Sequence, residues 1–294
     1  MTCSLRNRWG DDMQKIVMQK GVAGLGNRLQ ILGRCVDLAQ EIGAKVYPDW
    51  RDRCWVLDWH GYLTLGALSD CEMPQDVPPG AIYPPHWATE NRYLAETCLR
   101  QWYGHIRADS IPSTAELIVY MGYNAGYSDE LFRHLRLRPG MLTALGARMW
   151  LSRLEPWGYD CWHIRHNDKK SKPEDIEAAF VEMKSSDLPA VLLTDNIALK
   201  GRAEQAGISC PSSIPAQRPR GGGVHHMDLC TFDRGMCNAS AITDLWIGGM
   251  AHEFHAVCPA STFSQFIERG RKHIVDERNY FDRTGCKAEK GKAE

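Results

Sequence analysis

Residues 16–50 read IVMQKGVAGLGNRLQILGRCVDLAQEIGAKVYPDW. Ile-Val-Met-Gln at 16–19 has the makings of a short strand, and Gly21, Gly24 and Gly26 crowd the turn that follows. Over residues 27–42, Leu29, Leu32, Val36, Leu38 and Ala39 recur at roughly helical spacing, which predicts an amphipathic helix. Gly43 stands where a C-cap glycine belongs. Ala-Lys-Val-Tyr at 44–47 then forms a second strand that ends at Asp49 and Trp50. Strand, glycine turn, helix and strand make a βαβ unit, so the fold class is α/β with a parallel sheet.

The pattern recurs downstream. Residues 116–121 predict a strand and 141–154 a helix. A new strand–helix series follows at 159–164, 174–183, 190–193 and 198–206. The last elements are a helix at 239–250, a strand at 254–258 and a helix at 263–269. Two successive α/β halves are implied, 1–155 and 156–294, without a sequence repeat between them. Residues 51–115, rich in Pro, Trp and Tyr, read as irregular structure with short helices, and residues 215–223 as a Pro/Arg/Gly loop.

Composition narrows the function. The 294 residues are 44% hydrophobic and 24% charged, ordinary for an enzyme with sizeable cores. Thirty-five Lys and Arg against 36 Asp and Glu leave no basic footprint for generic nucleic-acid binding. No apolar run reaches membrane-spanning length, and the first dozen residues lack the apolar core of a signal peptide. Eleven cysteines, an odd number with no CxxC pair, read as reduced thiols, so the expected compartment is the cytosol. Neither zinc-ligand spacing nor an Asp-x-Asp motif occurs, and His252-Glu253-Phe254-His255 falls one residue short of a zincin helix, so no metal is expected.

Three short stretches at predicted strand–helix junctions can carry chemistry. Gly24, Gly26 and Asn27 form the first, with Asp49 about twenty residues on, as in a dinucleotide fold. Leu29 occupies the place of the third glycine, so a plain tight turn and a turn whose amides face a shared cleft stay open beside the NAD reading. The second is His163-Ile164-Arg165-His166, continuing into Asn167, Asp168 and Lys169 at the carboxyl edge of a sheet, where open α/β sheets bind ligands. Arg165 offers a bidentate fork for phosphate oxygens; the alternative is a solvated basic loop. The third is Ser261-Thr262-Phe263-Ser264, whose hydroxyls either cap a helix or sit where amides and a partial positive charge bind phosphate. Asp244, expected to open a helix, has the acceptor oxygens to read N1–H and the amino group of guanine.

GxGNRL at 24–29, HIRxxD at 163–168 and STFS at 261–264 stand in the order seen in GDP-fucose-dependent fucosyltransferases, which this chain resembles. Asp244-Leu-Trp-Ile followed by the STFS segment resembles the closing motif of bacterial α-1,2 types. Asp49-Trp50-Arg51, His163 to His166, Thr194-Asp195 and the Pro-x-Ser/Thr-x-Phe pattern at 259–263 are similar to the rhizobial nodulation α-1,6 type. Residues 52–115 show no match. The resemblance implies a GT-B architecture, two Rossmann-like domains facing across a cleft. It further implies a metal-independent, inverting transfer with GDP-fucose as donor substrate, no other cofactor, and an oligosaccharide acceptor. Arg165 matches the pyrophosphate-binding arginine, and His163 and Asp244 match guanine contacts. Ser261, Thr262 and Ser264 fall in the phosphate-and-ribose segment, and His166 agrees with the rhizobial type.

Such a transfer needs charge stabilisation on the departing GDP and a base for the acceptor hydroxyl. Arg165 serves the first. Glu174, Asp175 and Glu177 are candidates for the second, Glu174 being preferred because Pro173 holds it at a helix start; all three also suit a first helical turn for electrostatic reasons alone. Trp50, Trp55, Trp59 and Trp87 are either stacking platforms for acceptor sugars or packing residues. The rival functions are another GDP-sugar transferase such as a GDP-mannose user, an NAD-dependent oxidoreductase, and an inactive carbohydrate-binding relative.

Overall fold

The computed structural model describes residues 14–21, 24–52, 55, 58–94, 105–122, 125–166, 171–212 and 231–274. Val22, Ala23, the 167–169 end of the second motif, the 215–223 loop and both chain ends lie outside the described residues.

The opening βαβ unit forms as the spacing predicts. Strand β1 (Ile16–Lys20) leads into helix α1 (Leu25–Ile42) and strand β2 (Lys45–Pro48). Gly43 ends α1 in the left-handed conformation at φ 68°, its N–H bonded back to the Ala39 carbonyl, a geometry that costs any other residue more. β1 pairs in parallel with β2 on one side and with β5 (Leu117–Met121) on the other. The two-residue strand β4 (Ile82–Tyr83) completes a parallel sheet of order β2-β1-β5-β4. A short antiparallel pair joins β3 (Leu63–Thr64) to β6 (Arg136–Leu137).

A second parallel sheet has the order β8-β7-β9, from β7 (Asp160–Ile164), β8 (Ala190–Thr194) and β9 (Phe254–Ala256). α4 (Pro173–Ser185) covers one face by burying Ile176, Ala179, Phe180 and Met183 against Trp162, Ile164 and Leu192. α5 (Ile197–Gln205) adds Leu199 and Ala203 to that layer. The other helices are α2 (Asp129–His134), α3 (Pro139–Leu151), α6 (Thr231–Gly249) and α7 (Thr262–Gly270). The largest apolar cluster passes from Val17, Leu29 and Val36 through Leu131 and Leu145 to Tyr159, Ile242, Trp246 and Ile267. It therefore joins the surroundings of both sheets. α3, which precedes residue 155, is tied to α6 through Arg148: its guanidinium donates to the Ser240 carbonyl at 3.1 Å and to Asp244 Oδ1 at 2.6 Å.

One expectation is corrected here, and one open alternative is decided in favour of packing. α6 begins at Thr231, well ahead of the predicted start at 239, and Asp244 lies in its interior instead of opening a helix. The four tryptophans are core: Trp50, Trp55, Trp59 and Trp87 are 1%, 4%, 0% and 2% exposed, which leaves no ring face for a sugar. Trp50 packs against Trp55 and Trp59 with centroids 5.2 and 5.8 Å apart. The Arg28 guanidinium lies 5.7 and 5.4 Å from the Trp50 and Trp55 rings and is paired with Asp52 at 2.7 Å. Gln19 completes this knot, accepting from Trp50 Nε1 at 3.0 Å and donating to the Arg28 carbonyl at 2.8 Å. Trp50 and Trp55 pack around the Arg28 side chain of α1, and the Trp50 indole N–H keeps a partner in Gln19.

Candidate functional site

Helices α1 and α7 both start where a strand of a parallel sheet ends, and their first turns touch. A Cβ built on Gly26 would stand 2.4 Å from Thr262 Oγ1 and 2.8 Å from its Cβ, so only glycine permits the approach. The Tyr127 hydroxyl sits against both turns, 3.0 Å from the Gly26 carbonyl oxygen and 2.6 Å from that of Thr262. The first N–H groups of a helix have no intrahelical partner and carry partial positive charge. Two such ends side by side suit an anion with two charged groups.

The capping alternative for the hydroxyls does not hold. Gly24 and Ser261 are the N-cap residues, and neither supplies a side-chain hydrogen bond to its helix. Ser261 is fully buried with its Oγ unpartnered, and Asn27 Oδ1 is likewise buried without a hydrogen bond. Orphaned polar atoms at both helix starts mark a place built for polar contact.

The second motif joins this cluster through His163. Its Nδ1 lies 2.7 Å from Ser264 Oγ, and its ring packs on Phe263 at 4.9 Å. Burial, helped by the Arg165 charge, pushes the imidazole down from 6.5 to about 3, so it is neutral at physiological pH. His163 thus ties the end of β7 to the first turn of α7. Arg165 follows directly, half-buried, and its carbonyl accepts from the N–H (3.3 Å) and Oγ (3.0 Å) of Ser171. The His166 N–H donates to Asp195 Oδ1 at 3.0 Å, anchoring the motif to the end of β8; His166 Nδ1 is buried and unpartnered. Gly26, Thr262, Ser264, His163 and Arg165 are thereby linked from three separate stretches of chain.

Other predicted residues stand apart. Asp244 is buried, its Oδ1 held by Arg148 and its Oδ2 accepting from Ser212 Oγ at 2.6 Å. Glu174 and Asp175 are exposed in the first turn of α4, and Glu174 makes no hydrogen bond among the described residues. Glu177 is engaged by both Arg202 Nη atoms at 2.5 and 2.6 Å, a pairing that lowers its carboxyl below the usual range. Tyr127 and Arg148 escaped the sequence reading, for neither lies in a motif.

The residues behind the NAD reading have other work. Leu29 is fully buried in the core at the third-glycine position. Asp49 bonds Arg51 at 2.9 and 3.1 Å and also pairs with Lys20. Burial by itself raises the Asp49 carboxyl, and the Arg51 and Lys20 contacts more than offset that, holding it below the ordinary range. Among the described residues no three His, Cys, Asp or Glu side chains gather as metal ligands would.

No protein-family model and no curated protein sequence matches this chain. Solved structures do. NodZ α-1,6-fucosyltransferase soaked with GDP-fucose superposes with a TM-score of 0.56 at 16% identity, over 87% of this chain and 92% of that one. The fucosyltransferase NodZ from Bradyrhizobium gives 0.54 at 16% identity, over 86% and 92%. POFUT1 in complex with GDP-fucose gives 0.54 at 12% identity, over 88% and 95%. This chain has the fold of the NodZ and POFUT1 fucosyltransferases. The likeness covers 86–88% of this chain and 92–95% of those three.

Proposed function

We propose that the protein is a glycosyltransferase that moves fucose from GDP-fucose to a hydroxyl of an oligosaccharide, with inversion and without a metal ion. The observation that carries this reading is the contact of the α1 and α7 first turns at Gly26 and Thr262, beside the end of β7 that bears Arg165. A diphosphate placed there meets two sets of helix N–H groups and one guanidinium fork. The shared fold with proteins solved with GDP-fucose agrees. On this reading residues 1–155 and 156–294 are the two Rossmann-like domains of a GT-B enzyme. The second holds the GDP, and the first supplies the acceptor side.

The residues then take distinct roles. The acceptor oxygen attacks the anomeric carbon, the bond from that carbon to the β-phosphate oxygen breaks, and GDP leaves with the bonding pair. Arg165 and the helix starts at Gly24, Gly26, Asn27, Ser261 and Thr262 stabilise the charge that collects on the departing phosphate. Glu174, on the same sheet edge as Arg165, takes the acceptor proton. His163 and Ser264 hold the end of β7 against α7, and His166 braces the loop that carries Arg165. Asp244, with both oxygens bonded, braces Arg148 and Ser212.

No helix among the described residues is long and apolar enough to cross a membrane. The buried, unbridged thiols of Cys35 and Cys161 suit a reducing compartment, and we place the enzyme in the cytoplasm. Release of GDP from GDP-fucose, followed with chito-oligosaccharide acceptors in EDTA, tests the proposal. We expect acceptor-dependent release from GDP-fucose and much slower release from GDP-mannose. Faster turnover of GDP-mannose would reassign the sugar, and turnover only with added divalent metal would overturn the metal-free mechanism.

A further inference from the structure

Tyr127 joins the two helix starts and belongs to neither. Gly126 turns the chain ahead of it at φ 74°, and Ser128 after it caps α2 by accepting from the Glu130 N–H at 3.1 Å. The loop is fastened to both helices it bridges. Ser128 Oγ bonds Asp37 of α1, and Arg269 Nη1 of α7 donates to the Tyr127 carbonyl at 3.3 Å. The ring is wedged between Phe132 and Phe266 at 5.9 and 5.6 Å. Its hydroxyl, with one proton to give, lies within hydrogen-bond distance of two carbonyl oxygens, Gly26 at 3.0 Å and Thr262 at 2.6 Å. Burial pushes the phenol well above its ordinary value, so it stays a donor at any physiological pH.

We propose that Tyr127 is a positioning residue that sets the separation of the α1 and α7 first turns and so matches them to a diphosphate. This deepens, and rests on, the donor-binding reading above. Its bonds go to carbonyl oxygens, which leaves the first-turn N–H groups of both helices available to an anion. Two phosphoryl groups need two binding ends at a fixed spacing, whereas one phosphoryl group is satisfied by either end alone. Small errors in such a spacing cost much of the binding. A single shared hydroxyl, clamped by a loop bonded to both helices, provides that spacing.

The test compares GDP with GMP by titration calorimetry on the full chain and on Tyr127→Phe. We expect the substitution to weaken GDP binding about tenfold and GMP binding less than about twofold, with the unfolding midpoint nearly unchanged. Equal loss for both nucleotides, or no loss for either, would overturn the positioning role. If the parent protein binds no GDP, the donor-binding reading fails before any substitution is compared. Should Tyr127→Phe not fold, Gly26→Ala answers the same question, because its new Cβ, 2.4 Å from Thr262 Oγ1, forces the two turns apart. That variant must also lose GDP against GMP, and an unchanged ratio between them would refute the proposal.

Discussion

Arg165→Ala is expected to lower fucosyl transfer by at least about 10²–10³-fold while the protein folds and melts as before. Arg165 leaves the end of β7 half-buried, its own carbonyl pinned by Ser171 and its neighbour His166 pinned by Asp195. These backbone anchors survive removal of the side chain, so the fold has little reason to respond. The reaction has every reason to respond. On the proposed reading the guanidinium meets the charge that accumulates as the phosphate departs, and fixed donors that meet developing charge act on the transition state more than on the bound substrate. Lysine restores the charge without the two-pronged geometry, so Arg165→Lys should recover only part of the rate. Near-normal kcat/KM in the alanine variant, with the unfolding midpoint recorded alongside, would remove Arg165 from the centre of the mechanism.

The largest effect on stability is expected at Asp52. Arg28 and Asp52 have side chains 2% and 5% exposed and meet at 2.7 Å, with Trp50 and Trp55 around the guanidinium. Asp52→Ala strips a buried cation of its charge partner, a change that costs about 3–5 kcal/mol. For a chain of this length that is a drop of roughly 5–8 °C in the unfolding midpoint. Replacing both groups, as Arg28→Met with Asp52→Leu, removes the charge together with its partner and should recover much of the loss. Calorimetric midpoints of the three proteins decide it. A single variant that melts with the parent would show that the pair does not hold the α1 start against the Trp50 loop.

Much of this was legible in the sequence because it is local. The 16–50 stretch states its strand, glycine turn, helix and C-cap in order, and the observed elements fall within a residue or two of them. The chemistry-bearing motifs were legible for the same reason, since each sits where a strand gives way to a helix. α2 was missed because six residues are too few to show a period. The start of α6 was missed because Gly235 and Asn238, poor helix formers, interrupt its first turns. The burial of Trp50 and Trp55 depends on Gln19 and Arg28 arriving from the β1–α1 stretch, which the residues next to the tryptophans do not announce. Nor does any local pattern announce that Gly26 and Thr262 touch, or that Tyr127 lies between them, because such contacts exist only once both halves have folded.

The central claim is that the joined helix starts bind the diphosphate of a guanine nucleotide. Thermal unfolding of the full chain with GDP, UDP, ADP or NAD, each in EDTA, tests it most directly. At a hundred times its dissociation constant, a ligand that binds only the folded protein adds about 2.7 kcal/mol, a shift that is easily measured. We expect GDP to raise the midpoint and the other three to leave it in place. A rise with NAD, or with none of the four, would contradict the claim.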